Sequence, residues 1–351
     1  MLHVTNGSVA LSRLHDLGVP GQIVPWDDVL HEGPVPAGLS EAELRHVRAA
    51  FLGSNWDDAA SIERGLLARD ERLLAAGTGD EVVLWFEHDL YDQLHVLQVL
   101  DQLTGMGSSR TARVTAILAD DYLAAQPDEQ LQAWFDTRRE VADAQWQAAA
   151  AAWSAFRAPE PTLLASFDHA GAWPSLRNAL RRHLQQFPAV DTGLSRSERQ
   201  TLIALADGAL PLRAAFRAAD YDVEEAIFMG DLGWWYHIRT LITGPRPLLA
   251  VVGEAPADFN DPEWWRDDDT APSLVLTDDG ARVVAGEADR IALNGLDRWL
   301  GGVHLVARAD GNRQPATGSR QPADNNREPA AGSASGAIWR WDEARGAVYL
   351  T

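Results

Sequence analysis

The chain contains no cysteine, and all 30 of its basic residues are arginine, so lysine is missing as well. Without cysteine there is no disulfide, no thiolate metal site and no thiol nucleophile. Without lysine, the sequence excludes Schiff-base chemistry, covalent attachment of pyridoxal phosphate and the lysine of a Walker A loop. Several common classes of enzyme are therefore excluded by composition alone.

Positive charge is scarce overall, since 51 acidic residues give the chain a formal net charge of −21 at pH 7. This charge repels a phosphate backbone, so direct DNA binding is disfavoured without a local arginine patch. No apolar run approaches the roughly 20 residues of a membrane span, and the start of the chain has no signal-peptide pattern. We therefore expect a cytoplasmic protein with no membrane partner.

The length of 351 residues, with 46% apolar residues, predicts two domains with sizeable cores. We expect a Rossmann-like α/β domain over 1–127, a helical connector over 128–190 and a winged-helix-like α+β domain over 191–351. Within the last of these, residues 309–337 are rich in Pro, Gly, Ser and Asn. Such a segment buries too little apolar surface to fold, which predicts a disordered loop.

The first domain is predicted from alternating strand and helix patterns. Predicted strands cover 2–5, 22–26, 82–86 and 114–118. Predicted helices cover 9–17, 41–52, 60–76 and 90–103. Strands separated by helices favour a parallel sheet with right-handed crossovers. The continuous apolar run at 82–86 is typical of a strand buried on both faces.

In the last domain, three predicted helices precede two predicted strands, which is the order of a winged helix. The helices cover 194–207, 212–219 and 223–241, and the strands cover 248–252 and 273–276, followed by a turn at 277–280. The third helix is acidic and carries Trp234 and Trp235, so it resembles a packing or protein-contact surface more than a DNA reader. Residues 302–306 and 338–341 are expected to form a hairpin with an expanded turn.

Two strings join a strand-like run to carboxylates around one histidine. They read Trp26-Asp-Asp-Val-Leu-His-Glu-Gly-Pro34 and Leu84-Trp-Phe-Glu-His-Asp-Leu-Tyr-Asp-Gln93. Side chains at the carboxyl ends of parallel strands open into one crevice, where such sheets bind ligands. We predict that acid–base catalysis in this crevice uses His31, Glu32, Glu87 and His88.

Three further carboxylates in these strings are candidate ligands for Mg²⁺ or Mn²⁺, which prefer oxygen donors. They are Asp27, Asp28 and Asp89. A structural role is the alternative for each, because aspartate also caps turns and helices, and Asp89 directly precedes a predicted helix. Glu87 and His88 have no comparable structural explanation.

Two groups of residues are candidates for binding the ligand itself. Asn6, Gly7 and Ser8 form a turn between strand and helix, where free backbone N–H groups suit a phosphate or carboxylate. Arg45 and Arg48, on the helix after Pro34, are predicted to clamp an anionic group. An ordinary turn and exposed helix arginines are the alternative interpretations.

The N-terminal blocks resemble a bacterial family catalogued as domain of unknown function 1835. The resemblance covers about the first 125 residues and lies in Thr5-Asn-Gly7, Trp26-x-Asp28-x-Leu-His-Glu-Gly-Pro-Val-Pro36 and Trp85-Phe-Glu-His-Asp-Leu-Tyr-Asp-Gln93. Members of that family commonly have Gly-Asp-Ser in the first turn, where this chain has Gly7-Ser8-Val9. The C-terminal Leu293–His304 and Trp339–Asp342 blocks are similar to those of long members. The resemblance implies no activity.

These observations leave three interpretations. In the first, the protein is a hydrolase or transferase that acts on a small anionic molecule, such as a nucleotide or phosphosugar, by acid–base or metal-assisted chemistry. In the second, it is a ligand-sensing regulator or adaptor whose winged-helix-like domain contacts a protein partner or DNA. The third, a purely structural role, leaves both histidine–carboxylate strings without a purpose. We favour the enzyme.

Overall fold

The computed structural model describes residues 1–55, 58–167, 173–253, 271–310 and 337–351. These residues fall into two compact units, and both are discontinuous in the sequence. The first unit comprises Met1–Leu184, Ala226–Phe228 and Trp299–Val303, and the second comprises Gln185–Glu225, Met229–Arg298 and His304–Thr351. The loop predicted over 309–337 lies, apart from its ends, outside the described residues.

Four described strands of the first unit follow the predicted apolar runs closely, and two short ones were not predicted. They are β1 (Leu2–Asn6), β2 (Gln22–Trp26), β3 (Gly33–Pro34), β4 (Glu81–Phe86), β5 (Arg113–Leu118) and β6 (Arg139–Glu140). Five of these described strands form one sheet in the order β2-β1-β4-β5-β6. All neighbours are parallel except β5 and β6. The predicted parallel α/β sheet is confirmed.

Helices connect these strands and extend beyond the last of them. They are α1 (Gly7–Leu17), α2 (Glu41–Gly53), α3 (Ala59–Ala76), α4 (Leu90–Gly105), α5 (Asp128–Thr137), α6 (Asp143–Arg157), α7 (Thr162–Ala165) and α8 (Pro174–Leu184). The segment 128–184, predicted as part of a connector, is grouped with the first unit. Among the described residues, no helix has both the length and the apolar composition that crossing a bilayer requires.

The helix α4 is buried along almost its whole length, because it packs against α6 and α8 as well as near the sheet. Its polar side chains are therefore buried too, and they bond to the chain that leaves β2. Gln98 Oε1 accepts a hydrogen bond of 2.8 Å from Trp26 Nε1. His95 Nε2 donates to the backbone oxygen of Asp28 at 2.6 Å. These bonds fix the middle of α4 close to the end of β2.

The second unit contains helices and short strands in alternation. They are α9 (Arg196–Ala204), β7 (Leu210–Pro211), α10 (Leu212–Phe216), α11 (Asp231–Thr243), β8 (Leu249–Val252), β9 (Ser273–Leu276), α12 (Asp278–Val284) and α13 (Arg290–Asn294). A π-helical turn over Arg217–Tyr221 follows α10. The strands pair antiparallel in the order β7-β9-β8. A capping box of Ser195 with Glu198 starts α9.

Two predictions for this unit are wrong in detail. The helix predicted from residue 223 begins only at Asp231, and residues 226–228 are grouped with the first unit. The turn predicted at 277–280 is the start of α12, where Thr277 Oγ1 accepts a 3.0 Å hydrogen bond from the backbone N–H of Gly280. A threonine followed by two acidic residues is equally typical of a helix N-terminus.

The predicted hairpin between residues 302–306 and 338–341 is also wrong. The last strands of the described chain are β10 (Leu296–Gly301), β11 (Val303–Ala307), β12 (Trp339–Asp342) and β13 (Ala347–Leu350). β12 pairs antiparallel with β13, and β11 neighbours β10. Both of these pairings join strands that are adjacent in sequence, which requires closing a much shorter loop.

Candidate functional site

The carboxyl ends of β1 and β4 are adjacent in the sheet of the first unit, and α1 and α4 begin beside them. Gly7 starts α1 directly after β1 with a φ of +44°, a conformation that suits glycine. The backbone N–H of Gly7 donates a hydrogen bond to the carboxylate of Asp27. Ser8 is exposed and lies within the first turn of α1, not at its N-cap. The predicted ligand-binding turn therefore already holds a carboxylate of the protein.

Three buried carboxylates meet at the end of β4. Glu87 directly follows this strand, Asp89 is the N-cap of α4, and Asp92 lies in the first turn of α4. One oxygen atom from each lies within 4.8 Å of the others. Asp92 is entirely inaccessible to solvent, and Glu87 and Asp89 are also buried. We call these three residues the carboxylate cluster.

Backbone and amide groups surround the carboxylate cluster. Asn6 Nδ2 donates to Asp92 Oδ1 at 2.7 Å, and the backbone N–H of Glu87 donates to Asp92 Oδ2. The backbone N–H of Asp92 donates to Asp89 Oδ1 at 3.2 Å, and that of Leu123 donates to Glu87 Oε1 at 2.7 Å. These donors are all neutral. No arginine of the described residues forms an ion pair with the cluster.

The carboxylates of the cluster are buried and have no arginine partner among the described residues, and this raises their affinity for protons. Burial, followed by the charge of Glu87, raises the pKa of Asp89 to about 7. Burial and the neighbouring charges of Asp89 and Glu87 raise the pKa of Asp92 well above its usual value. The pKa of Glu87 is also raised, mainly by burial. At neutral pH the cluster is therefore suited to hold either protons or a divalent cation.

Tyr91 lies between the carboxylate cluster and the chain that leaves β2. Burial raises the pKa of its hydroxyl well above the usual value, and the charges of Asp27, Asp92 and Asp28 raise it further. Its ring lies edge-on to His31, with 6.0 Å between ring centroids. Tyr91 and Asp92 are site residues that the sequence analysis missed. Both belong to the second string, where the spacing of Asp89 and Asp92 marks a helix N-terminus.

Arg48 binds the protein itself and does not form the predicted anion clamp. Its side chain is 1% exposed and forms a buried ion pair with Asp28, with Nη2 2.6 Å from Oδ1. Its Nε also contacts both oxygens of that carboxylate, and its Nη1 donates to the backbone oxygen of Glu32 at 2.7 Å. Asp28 was predicted as a metal ligand, but its charge is neutralised by Arg48.

Arg45 also differs from the prediction. It pairs with Asp70 of α3, which additionally accepts hydrogen bonds from Arg69. The guanidinium of Arg69 stacks on the ring of Trp26, 3.8 Å from its centroid. These contacts join α2 and α3 to the end of β2. The helix arginines therefore stabilise the wall of the crevice, and neither supplies a free anion clamp.

The predicted catalytic residues are divided between two surroundings. Glu87 belongs to the carboxylate cluster, and the half-buried His88 beside it lies 5.3 Å from the ring of Tyr122. His31 and Glu32 are both buried in the loop that Arg48 braces. His31 packs edge-on against Phe228, with 5.1 Å between ring centroids. His88 is thus the more accessible of the two histidines.

Asp27 lies at the edge of this region. Part of its side chain is open to solvent, yet the protein packed around it raises the pKa of its carboxyl, against the opposing charge of Arg69. Of the three predicted metal ligands, only Asp89 is a member of the carboxylate cluster. Asp27 remains a candidate for contacting a ligand at the mouth of the crevice.

Replacement of Arg48 by methionine should strongly destabilise the first unit. The variant leaves Asp28 buried without a counter-charge, which costs about 3–5 kcal/mol of unfolding free energy. The double replacement Arg48→Met with Asp28→Leu should recover most of that loss. Urea unfolding of the three proteins measures both effects. A loss below about 1 kcal/mol in the single variant would contradict the bracing role.

The carboxylate cluster should make stability fall as pH rises, when a chelator removes divalent metals. The folded-state pKa of Asp89 is about 7 and its unfolded value is near 3.8, so the unfolded chain releases this proton first. Between these values each rise in pH favours unfolding. Asp89→Asn keeps a helix-capping side chain but removes the proton. Urea unfolding at several pH values should therefore show a steeper fall in wild type than in Asp89→Asn, and parallel curves would contradict this.

No family model and no curated protein matches the chain.

Proposed function

We propose that the protein is an enzyme that uses a divalent cation, Mg²⁺ or Mn²⁺, to hydrolyse or transfer a group on a small anionic molecule such as a nucleotide or phosphosugar. The observation that carries this proposal is the burial of Glu87, Asp89 and Asp92 within 4.8 Å of one another without an arginine partner. Structural carboxylates elsewhere in the same unit have such a partner, as Asp28 has in Arg48.

A bound cation would offset the electrostatic cost of burying the three carboxylates of the cluster. Three buried carboxylates repel one another and lose hydration, and the neutral donors around them offset this cost only in part, so protons or a positive charge must offset the rest. Oxygen donors are the ligands that Mg²⁺ and Mn²⁺ prefer. Binding a cation releases the protons that the raised pKa values of Asp89 and Asp92 retain.

A cation also supplies the attraction for an anion that the arginines do not provide. Arg45 and Arg48 are paired with Asp70 and Asp28, and the carboxylates alone repel an anionic substrate. A bound divalent ion polarises a phosphoryl or carbonyl oxygen and lowers the pKa of water. The half-buried imidazole of His88, next to Glu87, is the group we assign to proton transfer.

Membership of the family catalogued as domain of unknown function 1835 is part of this proposal. The blocks that carry the resemblance contain all three members of the cluster, Glu87, Asp89 and Asp92. Ser8 stands where members commonly have aspartate, so this chain takes its buried carboxylates from the β4–α4 junction. The proposal for this chain therefore does not need an acidic residue in the first turn.

Mn²⁺ should bind the full chain in isothermal titration calorimetry, and Asp92→Asn should weaken that binding at least tenfold, about 1.4 kcal/mol. Wild type should also release phosphate from at least one nucleotide or sugar phosphate in a panel supplied with Mn²⁺. His88→Ala should abolish this turnover and leave Mn²⁺ binding intact, because His88 is not a member of the cluster.

Asp16→Asn is the matched control, because it removes the same charge from an exposed position on α1. It should bind Mn²⁺ and turn over substrate as wild type does. Equal Mn²⁺ affinity in Asp92→Asn and wild type would reject the metal site. Full turnover in a folded His88→Ala variant would reject the role of the histidine.

The second candidate, a ligand-sensing regulator, is favoured by the order of elements in the second unit. The order α9-β7-α10-α11-β8-β9, with β9 between β7 and β8, supports a winged helix. Trp234 and Trp235 of α11 are buried, so they favour packing over contact with a partner. Within its observed bounds α11 carries one acidic residue, Asp231, against one arginine, Arg239, so it lacks the basic surface of a DNA-reading helix.

A mobility-shift titration with mixed-sequence duplex DNA tests the DNA version of this candidate. We expect no shift at low salt, because the net charge of −21 repels the phosphate backbone. The matched control is a basic DNA-binding protein in the same gel. A shift of this chain that weakens steeply with added salt would restore the regulator as the leading function.

A further inference from the structure

The first unit contains a cavity of about 430 Å³ that is separate from the carboxylate cluster. It is lined by the end of α4 and the chain that leads into β5, by β6 and by the first turns of α6, and every lining residue belongs to the first unit. The cluster lies at the carboxyl end of β4, whereas this chain leads to the amino end of the parallel strand β5. Sites for small molecules commonly have volumes of about 300–1,000 Å³, so the cavity is a second candidate site.

One arginine of this cavity has no acceptor for its side chain. Arg110 is half-buried, and its guanidinium lies over the ring of Trp146, 4.6 Å from the centroid. The guanidinium donates to no carboxylate and no carbonyl oxygen of the described residues, and its nitrogens are not enclosed by protein. Contact with an aromatic face attracts a guanidinium without using its N–H donors. Arg110 is therefore held by an aromatic ring and remains available to an anionic group.

Other buried or half-buried arginines of the first unit donate to a carboxylate or to a backbone oxygen. Examples are Arg13, Arg45, Arg48, Arg69, Arg138 and Arg157. Each of these contacts ties one part of the fold to another. Arg110 makes no such contact among the described residues, so joining parts of the fold by hydrogen bonds does not explain its guanidinium.

The cavity also contains carboxylates that do not pair with this arginine. Glu140 of β6 and Asp143 of α6 line it, and both are exposed. Neither side chain forms an ion pair or a hydrogen bond with a described residue. Asp143 has a structural role in the first turn of α6, where a negative charge is favourable. Glu140 is therefore the carboxylate that we assign to the site.

Opposite charges thus line one cavity without forming an ion pair with each other. A ligand with one group of each sign can contact both Arg110 and Glu140. A simple anion is repelled by the two carboxylates of the lining and by the net charge of −21. A simple cation leaves the guanidinium of Arg110 without an acceptor. The lining therefore favours a zwitterion.

Apolar side chains complete the lining. Val114 and Val141 are 2% and 6% exposed and form the buried part of the cavity surface. The half-buried indole of Trp146 adds an aromatic surface. An apolar group of the ligand is stabilised there by its removal from water. The charges and the apolar surface together match a free α-amino acid with an apolar side chain.

We infer that this cavity is a binding site for a free α-amino acid with an apolar or aromatic side chain. The carboxylate of the amino acid accepts paired hydrogen bonds from Arg110, and its ammonium group donates to Glu140. Its side chain lies against Val114 and Val141. The site does not depend on the carboxylate cluster or on the reaction proposed there.

The test is isothermal titration calorimetry of the full chain with leucine, phenylalanine and glutamate in the presence of a chelator. We expect leucine or phenylalanine to bind, and glutamate not to bind, because the acidic lining repels its second carboxylate. The N-acetyl derivative of the amino acid that binds lacks the ammonium charge, and its amide lacks the carboxylate. Each derivative should bind at least tenfold more weakly than the parent amino acid, a loss of about 1.4 kcal/mol.

Variants of the two charged residues locate the binding. Arg110→Gln and Glu140→Gln each remove one charge from the cavity, so each should weaken binding of the amino acid at least tenfold. Arg64→Gln and Glu71→Gln make the same changes at exposed positions of α3 outside the cavity and should have no effect. Asp89→Asn should also have no effect, which separates this site from the carboxylate cluster.

Three results would overturn the inference. One is the absence of binding by both leucine and phenylalanine at millimolar concentration. Another is binding that persists unchanged in folded Arg110→Gln and Glu140→Gln variants, since the amino acid would then bind elsewhere. The third is equal affinity for the amino acid and for its N-acetyl or amide derivative, since the cavity would then not recognise a zwitterion.

Discussion

Arg48 and Asp28 form an ion pair from which solvent is almost excluded, and the arrangement of the crevice wall depends on it. The other donors of the same guanidinium hold backbone oxygens of Val29 and Glu32. The loop after β2 is thereby fixed against α2, and it leads directly into β3. Gly33 of β3 pairs with Leu300 of β10. One buried charge pair thus sets the path of the chain from the sheet to a distant strand.

The carboxylate cluster is the electrostatic opposite of that pair. Glu87, Asp89 and Asp92 are buried, as Asp28 is, yet their hydrogen-bond donors among the described residues are neutral amides. The fold neutralises the buried carboxylate of Asp28 with an arginine. The three carboxylates of the cluster have no arginine partner among the described residues. Structural needs account for a helix cap at Asp89, but not for the concentration of charge. That difference is the reason for proposing a cation site at the end of β4.

The sequence could predict whatever is local. Continuous apolar and β-branched runs identified β1, β2, β4 and β5, and charge directly after a buried strand identified Glu87 and Asp89. It could not predict that Arg48 is buried, because its partner Asp28 is 20 residues away and an amphipathic helix normally exposes arginine. Asp92 was missed for a related reason, since it resembled a surface residue of α4. The sequence does not reveal which strand β12 pairs with, so its pairing with β13 in place of the strand over 302–306 could not be predicted.

The first unit is not continuous in the sequence, since it takes in residues 226–228 and 299–303. During synthesis the ribosome makes β3 long before it makes the partner of that strand, Leu300 and Gly301. The edge of the first unit at β3 therefore stays unpaired until most of the second unit has been translated. By the same logic, no single proteolytic cut or truncation releases the first unit with all its parts. Separating the two units completely would require five cuts and the retention of two short internal fragments, 226–228 and 299–303, in the first unit.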